Sequence, residues 1–292
     1  MIKWGQMKNN SSYFRLWAKI ALGAIILGLV GISLAPYWQG LKPLSPVLID
    51  LGRWQVHWYG AILAIATLAG VGLTWRLARG RIPSDRVLEA AIWMIVGGLS
   101  GARLMFVLLK WPIYAADPVE ILMFGRGGMS IHGALLGGLV ALMWYARRAK
   151  LNFWQLVDLA VPGVVVGQII GRFGNFFNQE AFGSPTSLPW KLYIAPANRP
   201  IQLLQEPYFH PTFIYEALLN VVVLAVLLRL YHRQLPAGSL LAWYLILYSS
   251  LRFILEWFRV DSDLWGTLTI AQWASLALVG VGIYLLRQRH HA

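Results

Sequence analysis

The feature that most limits the fold is the recurrence of apolar runs close to twenty residues long. Such a run crosses a hydrocarbon core of about 30 Å as a helix. A helix also satisfies its own backbone N–H and C=O groups, which the bilayer interior demands. Eight runs are expected, at about 16–36, 55–75, 87–109, 129–146, 154–173, 212–231, 238–257 and 268–286. Only 13% of the residues are charged, against about 25% in an ordinary soluble domain. Fifteen Trp and twelve Tyr add the amphipathic rings favoured at a bilayer interface. The expected fold class is all-α: a polytopic integral membrane helical bundle.

A net charge of +13 raises the question of nucleic-acid binding, and the placement of the charges answers it. Most Lys and Arg fall on one side of the expected spans: Lys3, Lys8, Arg15 and Lys19, then Arg76, Arg79, Arg81 and Arg86. Arg147, Arg148, Lys150, Arg229, Arg233, Arg287 and Arg289 complete that side. By the positive-inside rule this side is cytoplasmic and both termini lie there, as an even number of spans requires. The basic excess is therefore topology, and no nucleic-acid partner is expected. The absence of Cys excludes disulfides, thiolate metal sites and a cysteine nucleophile of the chain's own.

The first run ends in Ser33-Leu34-Ala35, which has the small-x-small form of a signal-peptide cleavage site. Its length of about 20 residues exceeds a signal core, so an uncleaved anchor is expected. The division is then 1–44, a basic amino terminus with an extra span, and 45–292, the main membrane domain. Within the latter, residues 174–211 carry Pro185, Pro189, Pro196, Pro200, Pro207 and Pro211. That proline density excludes a long helix and predicts an irregular head on the outer side.

A charge at bilayer depth costs about 2.5–3.5 kcal/mol, so the polar residues near the span ends need a reason. The densest cluster is GRFGNFFNQEAFG, residues 171–183, with Arg172 and Asn175 three apart, followed by Asn178, Glu180 and Gly183. A guanidinium fork suits a phosphate held by two donors; interfacial anchoring is the simpler use. His132 lies in GGMSIHGALLGG, residues 127–138, as a general base near neutrality or as a helix-linking hydrogen bonder. Arg252 and Glu256, four apart in LRFILEWFR, either neutralise each other or hold an anionic ligand. Tyr59 in HWYG, residues 57–60, is an aromatic-belt or a cavity residue. In HPTFIYE, residues 210–216, His210, Tyr215 and Glu216 are supporting candidates, and Arg103 either reaches the same cavity or snorkels outward. The glycines Gly163, Gly167 and Gly171, and Gly97 with Gly101, are expected to let helices approach closely. Tyr59, His132, Arg172, Asn175, Glu180, Arg252 and Glu256 all map to the outer half, so one polar cavity opening there explains them together. No histidine spacing suggests a metal. Arginines, a histidine and carboxylates suit an anionic phospholipid headgroup better than a cation.

The motifs HWYG, GGMSIHGALLGG, GRFGNFFNQEAFG, HPTFIYE and LRFILEWFR occur in the order seen in bacterial prolipoprotein diacylglyceryl transferases, which the chain resembles over roughly residues 45–289. That resemblance implies transfer of the diacylglyceryl group of phosphatidylglycerol to the thiol of a lipobox cysteine in a preprolipoprotein. A thioether forms and glycerol phosphate leaves, with no metal or cofactor. The implied partners are phosphatidylglycerol, the preprolipoprotein signal peptide with its lipobox Cys, and membrane lipids. The implied location is the bacterial plasma (inner) membrane, with the active site toward the outer leaflet and the carboxyl terminus cytoplasmic. The family's essential arginines fall on Arg172 and Arg252 and its important histidine on His132. Tyr59, Asn175, Glu180, Gly183 and Glu256 occupy further functional positions. Arg172 and Arg252 are expected to bind the phosphate and stabilise leaving-group charge, and His132 is the candidate base for a thiol of pKa near 8.5; a substrate-assisted or Glu-assisted route stays open.

Three small departures accompany the resemblance. Ala134 stands two after His132, Gln179 follows Asn178, and Ala271 precedes Gln272, each where glycine is common. The extra first span is a larger one, because the family's amino terminus is usually outside. The competing class is a transporter or channel for an anionic solute, since buried Arg, Glu and His also mark ion pathways. It would need polar groups through both halves of the membrane and shows neither an inverted repeat nor paired broken helices.

Overall fold

The computed structural model describes residues 31–290 except 53, 124–126, 234 and 261. Most of the expected first span, 16–36, lies outside the described residues; 31–38 are helical. Seven long helices follow: α1 (Trp58–Ala78), α2 (Ser84–Leu109), α3 (Ile131–Arg148), α4 (Phe153–Asn178), α5 (Thr212–Tyr231), α6 (Ser239–Leu255) and α7 (Ile270–His290). Six helices among the described residues are long and apolar enough to cross a membrane; α3, at 18 residues, is the shortest but one. The chain is a polytopic helical membrane protein, with Leu63, Leu68, Ile92, Leu99, Leu104, Leu135 and Val222 on its exposed faces.

Backbone approach sets the helix pairs. Gly70 of α1 meets Gly163 of α4, where a Cβ would stand 2.6 Å from the Gly163 carbonyl oxygen. Gly97 and Gly101 of α2 face Gly137 and Gly133 of α3 in antiparallel register. Gly167 has only the Ala66 carbonyl oxygen, at 3.8 Å, and Gly171 has nothing within 4 Å. Of the three α4 glycines expected to pack tightly against a backbone, Gly163 alone does; Gly174, one turn beyond Gly171, takes the Tyr59 ring instead.

Antiparallel pairing puts the starts of α1, α3, α5 and α7 at one end of the bundle with the ends of α2, α4 and α6. At the opposite end, Asp158 of α4 fixes the entry to α6. Its carboxylate accepts from the backbone N–H of Gly238 at 2.7 Å and Leu241 at 2.9 Å, replacing the side-chain cap that Gly238 cannot supply. Tyr145 of α3 donates to Glu89 of α2 at 2.8 Å. Around these bonds an apolar core joins Leu142, Leu156, Leu159, Val165, Val223 and Leu227.

The described end segments combine short antiparallel strand pairs with single helical turns, such as Trp111–Ala116 and Pro196–Asn198. β1 (Val47–Asp50) and β2 (Gln55–His57) lead into α1, β3 (Leu192–Tyr193) pairs β4 (Tyr208–Phe209), and β5 (Leu264–Trp265) pairs β6 (Leu268–Thr269) just before α7. A second apolar cluster, Phe176, Phe182, Leu192, Ile194, Phe209 and Phe213, lies at this end with Leu34, Tyr37 and Trp38 against it. Trp38 stacks on Phe176 with centroids 5.7 Å apart. Helix α4 runs on to Asn178 where the apolar pattern stops at 173, because Gly174 accepts the Tyr59 ring and Phe176 is drawn into that cluster. The irregular segment therefore starts at Gln179 and not at 174.

The glycine seam between α2 and α3 makes a direct prediction. A Cβ at Gly101 would strike the Gly133 carbonyl oxygen, whereas one at Gly98 would sit 3.4 Å from the nearest backbone oxygen. Gly101→Val should lose about 1–3 kcal/mol to overpacking. Gly98→Ala should be neutral or better, since alanine is the stronger helix former. Thermal melts of both purified variants in detergent would show the contrast.

Candidate functional site

The end of the bundle that gathers the starts of α1, α3, α5 and α7 holds the polar residues, and two arginine–carboxylate pairs dominate it. Arg172, near the end of α4, donates through Nη2 to Oε1 of Glu216 in the second turn of α5. The Glu216 side chain is 6% exposed and that of Arg172 25%. Tyr248 of α6 donates to the same Glu216 oxygen at 3.2 Å. Tyr248 in turn stacks on Tyr244 with ring centroids 5.5 Å apart, and Gln168 of α4 donates to the Tyr244 hydroxyl at 2.8 Å.

One turn beyond Tyr248, Arg252 pairs with Glu256, with side chains 20% and 3% exposed. The other Glu256 oxygen accepts from Ser262 Oγ at 2.7 Å and Thr269 Oγ1 at 3.0 Å. Arg259 Nε stands 4.0 Å from Glu256. Helix α6 and its C-cap residue thus carry Tyr244, Tyr248, Arg252 and Glu256 at intervals of four, one stripe along one face. Through Tyr248 this stripe reaches the Arg172–Glu216 pair on α4 and α5.

The chemistry of the site follows from burial. A carboxylate out of water is tolerated only with charged and hydrogen-bonding partners, and each glutamate has them. A guanidinium carries five N–H donors, and Glu216 takes one from Arg172. The remaining donors of a cation held in place by a buried anion suit a phosphodiester.

The other expected residues sit nearby. Tyr59 in the first turn of α1 lays its ring over Gly174, whose Cβ would come within 2.7 Å of it; Trp58 stacks on Phe177 at 4.4 Å. Asn175 donates to Glu180 Oε1 at 3.0 Å and Asn178 to the same oxygen at 3.2 Å. Gln179 adopts φ 50°, a left-handed turn that favours glycine. Its side-chain oxygen accepts from Ala195 N and Asn198 Nδ2, both at 3.0 Å. Gly183 donates its N–H to His210 O at 2.8 Å, and a Cβ there would strike the Phe258 carbonyl oxygen. It lets the chain after α4 lie against the segment after α6.

His132 is bonded to none of these residues. It is exposed in the first turn of α3 and makes no hydrogen bond or ion pair among the described residues. Arg103 neither reaches this cluster nor snorkels. It is buried and donates to the carbonyls of Glu120, Ile121, Met123, Gly127 and Gly128, and so braces the α2–α3 connection.

Sequence reasoning singled out both arginines but not what links them. Gln168, Tyr244, Tyr248, Ser262 and Thr269 were missed, and Glu216 was placed only in support. The four-residue spacing of Tyr244, Tyr248, Arg252 and Glu256 was the available signal, but two tyrosines read as an aromatic belt. His210 shares a hydrogen bond with the Tyr215 hydroxyl at 3.1 Å, and Trp190 Nε1 donates to that hydroxyl at 2.7 Å.

Glu216→Ala strands Arg172 and should cost about 1–3 kcal/mol, while Arg172→Leu with Glu216→Leu should recover part of that loss; chemical denaturation of the three variants measures it. Burial lowers the His210 pKa from its ordinary 6.5. Below pH 6.5 the unfolded chain then binds more protons than the folded one, so stability falls as pH drops through that value. His210→Gln should remove this part of the slope in melts between pH 7.5 and 5.

A protein-family model described as prolipoprotein diacylglyceryl transferase matches residues 46–287. The chain is 44% identical over 246 residues to the phosphatidylglycerol–prolipoprotein diacylglyceryl transferase of Synechococcus elongatus, covering 82% of this chain and 85% of that one. It is 41% identical over 261 residues to the protein of the same name from Acaryochloris marina, covering 86% and 95%. With the one from Nostoc it shares 43% over 246 residues, covering 82% and 87%.

Proposed function

Because this chain belongs to the prolipoprotein diacylglyceryl transferase family, we propose that the paired arginines at the polar end of the bundle form its active site. The protein is a multi-pass membrane transferase. It moves the diacylglyceryl group of phosphatidylglycerol to the thiol of a prolipoprotein's lipobox cysteine. The sulfur forms a bond to the glyceryl carbon as the bond from that carbon to the phosphate oxygen breaks. Glycerol phosphate leaves, and the thiol gives up its proton.

The observation that carries the site is the pair of arginine–glutamate couples, the first of them hydrogen-bonded by Tyr248, one turn before Arg252 on α6. Arg172 and Arg252 hold the phosphodiester with donors that Glu216 and Glu256 leave open, and they stabilise the charge that builds on the departing phosphate. The glutamates keep both guanidinium groups oriented before the lipid arrives. Asn175 with Glu180 on one side and Tyr59 over Gly174 on the other wall the headgroup region, and Gly183 closes the backbone behind it. The thiol proton passes to His132, whose imidazole is exposed and has no competing partner among the described residues.

The polar end faces the outer leaflet of the bacterial plasma membrane, where exported precursors present their lipobox. Arg76, Arg79, Arg81, Arg147, Arg148, Arg229 and Arg233 lie at the opposite end of the helices, which the positive-inside rule makes cytoplasmic. The carboxyl terminus, after α7, lies on that same side. No cofactor enters the reaction, since the sulfur and the leaving group both arrive with the substrates.

The test is a transfer assay with purified protein, phosphatidylglycerol and a lipobox peptide. Wild type should add one diacylglyceryl unit to the peptide mass. Arg172→Ala and Arg252→Ala, folded by thermal melt, should each lose about 10²-fold or more in rate, the scale seen when a donor to developing charge is removed. No gain from folded wild type would refute the activity, and full activity in both variants would refute the site.

A further inference from the structure

Glu256 is gripped on both oxygens, and its second grip comes from outside α6. Oε2 faces Arg252. Oε1 accepts from Ser262, in the connection after α6, and from Thr269, the residue before α7. Thr269 has a second task. Its hydroxyl oxygen accepts from Gln272 N at 3.1 Å, and Gln272 Oε1 accepts from Thr269 N at 3.0 Å, a reciprocal capping box at the start of α7. A hydroxyl has one proton and two lone pairs, so Thr269 caps α7 with its oxygen and spends its proton on Glu256. The β5–β6 hairpin, pairing Leu264 with Thr269, brings that hydroxyl back to α6.

We propose that Ser262 and Thr269 are positioning residues for Arg252 in the transfer reaction. They fix Glu256 in one rotamer, and Glu256 fixes the guanidinium toward the phosphate. Neither hydroxyl touches the lipid; both act through the carboxylate. Without these donors, Oε1 is a nearly buried charged acceptor lacking partners, which costs more than an ordinary lost hydrogen bond. Glu256 then turns away in search of water, and Arg252 loses its hold. The inference rests on the reading of Arg252 as a phosphate-binding residue.

Four variants separate positioning from mere stability, assayed for transfer with phosphatidylglycerol and a lipobox peptide. Ser262→Ala removes a donor to Glu256 without touching the cap. Thr269→Val removes donor and cap together, and Thr269→Ser keeps both. Gln272→Leu breaks the capping box but leaves the Glu256 bond. We expect kcat/KM to fall about tenfold in Ser262→Ala and in Thr269→Val, the rate equivalent of one hydrogen bond to a charged group. Thr269→Ser should stay within twofold of wild type. Gln272→Leu should lower Tm as Thr269→Val does, yet keep kcat/KM within twofold. Activity that tracks Tm across all four, or a Ser262→Ala/Thr269→Val double variant within twofold of wild type, would overturn the proposal. Arg252→Ala run alongside separates the two readings: full activity there refutes the premise, whereas loss there without loss in the double variant refutes the positioning role alone.

Discussion

Two carboxylates buried in a lipid-embedded bundle set the terms for the rest of this structure. Glu216 and Glu256 are each 5% exposed, and a buried lone charge is prohibitive. Each therefore needs a cation and hydroxyl donors within reach, and these must come from several helices. Arg172 comes from α4, Tyr248 from α6 and Thr269 from the entry to α7. The bundle can meet that demand only if its helices hold their depth to within a fraction of a turn. Gly70 against Gly163 and the Asp158 bridge to the start of α6 supply that registry from the opposite end.

The spans were legible because bilayer thickness writes itself directly into apolar run length. The run expected at 212–231 coincides with α5, and those at 55–75, 87–109, 129–146, 238–257 and 268–286 end within a few residues of their helices; most of the run at 16–36 lies outside the described residues. The end of α4 was misplaced because Asn175 and Asn178 look like a chain leaving the membrane. They are instead the last helical turn, with their amides turned on Glu180. The glycine rule succeeded at Gly97, Gly101 and Gly163 but not at Gly167 or Gly171, since spacing alone does not say which glycines a neighbouring backbone meets.

For the site, the sequence held the cations more plainly than their partners. An arginine in an apolar run stands out at once, while Tyr244 and Tyr248 blend into a chain already rich in aromatic residues. Arg103 shows a different difficulty: the sequence left it between the cavity and the interface, and it meets neither expectation, because backbone carbonyls of a loop that no periodicity describes consume it. The pairing of Arg172 with Glu216 joins residues on different helices, which no local spacing displays. The family relationship supplied the activity, and the coordinates supplied the connections between residues that a list of motifs leaves separate.

Gln179 carries one more consequence. At φ 50° the backbone favours glycine, and a side chain there is held against a cost of order 1 kcal/mol. In return its amide oxygen ties the end of α4 to Ala195 and Asn198, so the segment between the third and fourth strands moves with the helix that carries Arg172. A glycine would relax the turn and cut the tether at once. Local comfort and long-range rigidity are thus alternatives at this single position, and this chain has settled on rigidity.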